Sequence, residues 1–94
     1  MISQAKKLTL TSRAIMNDQL GMFSEKMCNL LNYDQILMMN SGAEGGESAL
    51  KIARAWGYKK KGVSKNNAVH LFCINNFWGR TLSACSSSTD PDCY

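Results

Sequence analysis

Two short stretches hold the residue types that binding chemistry needs. In the first, an apolar run stops at Asn40 and Ser41, and small Gly42 and Ala43 open what reads as a helix continuing through Glu44, Glu47, Lys51 and Arg54. The first amides of a helix have no partner within it, and the dipole places positive charge at that end. A phosphate could therefore approach the Gly42 and Ala43 main chain without steric hindrance. The second stretch is Asn75-Asn76-Phe77-Trp78-Gly79-Arg80-Thr81. An aromatic face there could cover a planar ring, and Arg80 could grip a carboxylate through two parallel hydrogen bonds. Each stretch also has a plainer reading. The first is a capped strand-to-helix junction with nothing bound; in the second, Phe77 and Trp78 are core residues and Arg80 is a surface ion-pair partner. The first stretch is neither a Walker loop nor a G-x-G-x-x-G fingerprint, whose glycine and lysine positions it lacks.

The elements that must position these residues follow from the apolar pattern. Residues 36–39 are four apolar positions in a row, the signature of a short strand buried on both faces. Ser41 with Glu44 has capping-box spacing, Glu47 and Lys51 form an i,i+4 pair in the favourable order, and Ala49, Ile52, Ala53 and Trp56 are expected to face a core. Gly57 and Tyr58 mark the last turns of this helix and Gly62 its stop. Residues 68–74, apolar at nearly every position, read as a second strand, internal to a parallel sheet, with His70 as a strand residue near an edge. Strand, helix and strand make a right-handed βαβ unit, and the class is α/β. The aromatic and arginine stretch then falls at the C-terminal end of the second strand, where ligands bind in such sheets. Upstream, Leu8 to Thr11 alternate like a short extended segment. Ile15, Met16, Leu20, Phe23, Met27, Leu30 and Leu31 space an amphipathic helix ending near Asn32, weakened at Gly21 by roughly 1 kcal/mol. Residues 84–89 are small and hydroxyl-rich, closed by a turn at Asp90 and Pro91.

Ninety-four residues with 45% hydrophobic content suit one small domain with a modest core. The net charge of +4 is mild, apart from Lys59, Lys60 and Lys61 with Lys65 behind them. A nucleic-acid interface could use that cluster, but its place at a helix C-terminus accounts for it more simply. Cys28, Cys73, Cys85 and Cys93 have no regular spacing and no secretory signal, which points to reduced thiols, with Cys28 and Cys73 expected as small buried hydrophobes. With His70 as the single histidine, a zinc site is not expected, and no apolar run reaches membrane-spanning length.

Taken together, three groups of residues resemble the ornithine aminotransferases, fold-type I, class III pyridoxal-phosphate enzymes. They are Leu8-Thr9-Leu10-Thr11-Ser12-Arg13-Ala14; Asn40-Ser41-Gly42-Ala43-Glu44 with Ala49, Lys51, Ala53, Arg54, Trp56, Gly57 and Tyr58; and Asn76-Phe77-Trp78-Gly79-Arg80-Thr81-Leu82-Ser83-Ala84 with Ser86-Ser87-Ser88-Thr89-Asp90-Pro91. The resemblance runs from about Gln4 to Tyr94. Ser-Gly-Ala-Glu marks only the wider superfamily, whereas Asn-Phe-Trp-Gly-Arg-Thr and Ser-Ser-Ser-Thr-Asp-Pro are much more specific. It implies that the Gly42 and Ala43 amides bind the phosphate of pyridoxal 5'-phosphate, that Phe77 stacks on its ring, and that Arg80 binds the α-carboxylate of ornithine with Trp78 lining the same pocket. The δ-amino group would then face the cofactor and pass to 2-oxoglutarate, giving glutamate semialdehyde and glutamate.

Departures from the family pattern are Gly45-Gly46, two glycines where relatives more often have one, and Cys73 and Asn75 in place of smaller residues. The family's Schiff-base lysine, its pyridine-pairing aspartate and its small domain would lie beyond the equivalent of Tyr94, and a substrate-contacting tyrosine before Met1. Residues 1–94 are thus expected to be one incomplete piece of the cofactor-binding large domain, with a parallel-rich sheet and flanking helices, inactive and weakly stable alone. In the intact enzyme the resemblance implies a dimer-based homo-oligomer in the mitochondrial matrix, with cytosolic relatives known, and neither nucleic acid nor membrane as a partner. The alternative is a truncated paralogue that acts as an interaction module for a full-length subunit.

Overall fold

In a computed structural model, which describes residues 1–12 and 14–93, the chain forms two compact units, Met1–Met38 and Met39–Tyr94. Arg13, part of one family string, lies outside the described residues.

The first unit holds α1 (Ile2–Lys7) and α2 (Asp18–Leu31). The pattern did not signal α1, whose residues are polar and uncapped by any side chain. The second helix starts later than its apolar spacing suggests, because Asn17 caps it: Asn17 Oδ1 accepts from the Gln19 and Leu20 amides at 3.0 and 2.8 Å. Ile15 and Met16 are therefore outside it and exposed. Its end is where expected, with Asn32 in the left-handed region at φ 57°.

The second unit is built on α3 (Gly42–Lys59), followed by α4 (Leu82–Ser86) and a 3-10 turn, Pro91–Cys93. Ser41 is the N-cap of α3, its Oγ accepting from the Glu44 amide at 3.3 Å, and the Glu44 carboxylate accepts from the Asn40 amide at 2.7 Å. The capping box is thus closed one residue further back than its usual form. At the other end Gly62 takes φ 74° and the Val63 amide returns to the Gly57 carbonyl at 3.0 Å. Lys61 Nζ lies 5.4 Å from the Trp56 ring, so part of the basic cluster folds back on its own helix end.

Three expectations are corrected. Among the described residues no strand is formed: residues 36–39 and 68–73 carry no regular secondary structure, Ile74 lies in a turn, and Val69, Leu71 and Ile74 are 81, 93 and 79% exposed. A strand exists only through hydrogen bonds to a neighbour, which an apolar run cannot supply for itself. The βαβ unit is therefore not formed within these residues, and the chain is helical. The expected core face of α3 is likewise open, since Ala49, Ile52, Ala53 and Trp56 are all exposed. The helix packs instead through Ala43, Gly46, Glu47 and Gly57, and Ala84 is the one apolar side chain classed as buried among the described residues, at 3% exposure. Of the cysteines, all four are free, and Cys73 is exposed rather than a buried hydrophobe.

Candidate functional site

The helix start meets the aromatic and arginine stretch at a glycine. In the first turn of α3 the Glu44 amide goes to Ser41 Oγ and the Gly45 amide to the Ser41 carbonyl at 3.0 Å, which leaves the amides of Gly42 and Ala43 without a protein acceptor among the described residues. Gly79, at φ 150°, lies directly against this turn. A Cβ there would stand 2.9 Å from the Cβ of Ala43 and 3.7 Å from that of Ala84, so only glycine lets the loop come this close.

From Gly79 the chain runs both ways into side chains suited to ligand contact. Phe77 is 70% exposed, which removes the core reading for it, and the Arg80 guanidinium carbon lies 5.3 Å from its ring centroid. Trp78 is half-buried. Its six-membered ring presses on Gly46, where a Cβ would meet Cε3 at 2.5 Å; its plane is within 5° of that of Phe72 at 6.1 Å; and its Nε1 donates to Ser87 Oγ at 2.8 Å. Gly46 is thus a close-approach residue for Trp78, while a Cβ on Gly45 would meet no atom beyond its own helix turn. Phe77, Trp78 and Arg80 line one cavity of about 260 Å³ together with Cys85, Asp92 and Cys93. Gly42 and Ala43 do not line it; they join it through Gly79.

Three groups hold this loop in ways the sequence did not signal. Glu47 does not pair with Lys51 but accepts from the hydroxyls of Thr81 and, at 3.1 Å, Ser83. Asn76 Nδ2 donates to the carbonyls of Cys73 and Ser87, both at 2.8 Å, and the Asn75 amide, with Asn75 at φ 60°, donates to Thr89 Oγ1 at 2.8 Å. The hydroxyl-rich composition of residues 86–89 was the available signal. Which carbonyl or indole each hydroxyl would meet was not in it.

The donor set fits a phosphorylated planar cofactor. Two unpartnered amides stand at the positive end of an 18-residue helix, beside a glycine that keeps the approach clear, with an exposed aromatic ring and a guanidinium on the adjoining loop. Comparison with known proteins places the chain in a class. The chain belongs to the class-III aminotransferases: the family profile described as "Aminotransferase class-III" matches residues 1–94. Within that class, the relatives described next are named for one activity. The chain is 58% identical over 94 residues to the "Ornithine aminotransferase" of Vigna aconitifolia and 56% identical to the "Ornithine aminotransferase, mitochondrial" of Rattus norvegicus, covering all of this chain and 22% and 21% of those proteins. The crystal structure of the ornithine aminotransferase from Toxoplasma gondii ME49 superposes with a TM-score of 0.87 at 53% identity, over 99% of this chain and 22% of that one. The chain therefore spans about a fifth of the length of the relatives it matches.

Proposed function

We propose that this chain carries the phosphate-binding turn and the substrate-carboxylate contact of an ornithine aminotransferase. In this reading the Gly42 and Ala43 amides hold the phosphate of pyridoxal 5'-phosphate, Phe77 covers its ring, Arg80 binds the α-carboxylate of ornithine and Trp78 walls the pocket. The observation that carries it is the packing of Gly79 on Ala43, which brings the free amides of α3 next to the Phe77 and Arg80 pair. When bound, pyridoxal phosphate supplies the electron sink that exchange of an amino group for a carbonyl requires. What these residues do is orient: an arginine fixed at the α-carboxylate leaves the distal amino group of ornithine toward the cofactor, and 2-oxoglutarate is the acceptor that follows.

The finer fold assignment belongs to the same proposal. The apolar segments at residues 36–39 and 68–74 are read as strand positions of the fold-type I large domain, with the intact enzyme a dimer-based homo-oligomer. Several relatives carry the word mitochondrial in their names, which supports the matrix as the compartment. Among the described residues no helix is long and apolar enough to cross a membrane. The reading is tested by titrating the full chain with pyridoxal phosphate and following Trp78 emission in a Trp56→Phe background. Saturable quenching that Gly79→Ala abolishes is expected, with no turnover of ornithine and 2-oxoglutarate by this chain alone. Quenching unchanged in Gly79→Ala would overturn the assignment of the site.

A further inference from the structure

The Arg80 loop is fastened to α3 at two points, one on each side of the arginine. On one side Gly79 rests on Ala43 and Ala84. On the other, the carboxylate of Glu47 accepts from Thr81 Oγ1 through Oε1 and from Ser83 Oγ through Oε2, across 34 and 36 residues of chain. Hydrogen bonds to an ionised acceptor are among the stronger ones, and a carboxylate is the side chain that can take two hydroxyl donors at once.

The Thr81 hydroxyl has a second duty. It caps α4, its oxygen accepting from the Ala84 amide at 3.2 Å. A hydroxyl owns one proton, and with that proton given to Glu47 its lone pairs are left to face the Ala84 amide. Glu47 therefore also orients the cap of the following helix. Among the described residues, exposed Arg80 has no partner stronger than the Phe77 face.

We infer that Glu47 is a positioning residue: its carboxylate latches Thr81 and Ser83 to α3 and so sets where Arg80 stands relative to the Gly42 and Ala43 amides. The latch is a property of the loop, and its consequence for substrate rests on the reading of Arg80 and the helix start given above. Glutamine at this position keeps the size but replaces one acceptor oxygen by an NH2 donor, so one hydroxyl keeps its acceptor and the other must turn round to accept. Alanine retains neither.

The test is amide hydrogen exchange and nuclear Overhauser contacts in the full 94-residue chain. In the unsubstituted chain the Ala84 and Cys85 amides exchange slowly and Arg80 shows contacts to the Phe77 ring. Glu47→Ala is expected to speed exchange at Ala84 roughly tenfold or more and to remove the Arg80–Phe77 contacts. Glu47→Gln gives an intermediate effect, and amides of α3 beyond Leu50 stay unchanged in both. Thr81→Val combined with Glu47→Ala adds less than the sum of the two, because both remove the same bond. Equal exchange and contacts in all variants, full additivity, or an unprotected Ala84 amide in the unsubstituted chain would overturn the latch. Inorganic phosphate, added separately, should move the Gly42 and Ala43 amide signals equally in the unsubstituted chain and in Glu47→Gln. Absence of that response in the unsubstituted chain would strike the phosphate reading and leave the latch standing.

Discussion

Gly45 and Gly46 adjoin on α3, yet a methyl group added at each meets opposite surroundings. At Gly45 it would have no heavy atom within 4 Å; at Gly46 it would lie 2.5 Å from Cε3 and 2.7 Å from Cζ3 of Trp78. The indole has little room to step aside, because Ser87 holds its Nε1 at 2.8 Å and Phe72 stacks on it at 6.1 Å. Replacing a helical glycine by alanine gains about 1 kcal/mol in either case. Overpacking at Gly46 costs about 1–3 kcal/mol, which cancels or exceeds that gain. The two variants should therefore differ by about 1–3 kcal/mol, or roughly 4–8 °C in melting temperature for each kcal/mol in a chain of this size. Thermal melts by far-ultraviolet circular dichroism, with Trp78 emission followed in the Trp56→Phe background, measure both. Gly45→Ala should melt higher than the parent, and Gly46→Ala lower or no higher, with altered emission. Adding Trp78→Ala should erase the difference between them. Equal rises for both, with Trp78 emission unchanged, would refute the packing of this ring on α3.

Other residues can be tested in the same way. Ser41→Ala removes the acceptor for the Glu44 amide and should cost about 1 kcal/mol, with faster exchange confined to the first turn of α3. Asn76→Ala removes the donor to the Ser87 carbonyl, whose bond is part-buried, and to the exposed Cys73 carbonyl, and should lower stability by about 1 kcal/mol, read as a lower urea midpoint. Asn32→Gly, at a left-handed helix end, should leave the melt of α2 unchanged or slightly raised, whereas Asn32→Val should lower it.

The helix boundaries that sequence logic located well are those carrying their own chemistry. Ser41 with Glu44, Asn32 and Gly62 mark their positions through local hydrogen bonds and backbone preferences, which depend on residues within one turn. Asn17 was readable by the same logic, yet it stood inside an apolar spacing that masked it. The family strings single out Gly42, Ala43, Phe77, Trp78 and Arg80, whose roles belong to the proposed function.

Contacts between distant residues were a different matter. Nothing local distinguishes Gly46 from Gly45; only the arrival of Trp78, 32 residues later in the sequence, makes one of them a packing requirement. Glu47 has the spacing of a helix-surface ion pair with Lys51, and it is the return of Thr81 and Ser83 that makes it an acceptor for two hydroxyls. The apolar runs at residues 36–39 and 68–74 announce strands, but a ladder requires a second backbone alongside, and the described residues provide none. Composition and spacing thus settled the helix ends at Ser41, Asn32 and Gly62, since each is decided within a turn of chain. Tertiary structure decided which glycine is indispensable, what Glu47 holds and where the loop bearing Arg80 lies, because those depend on groups that meet only when the chain folds back on itself.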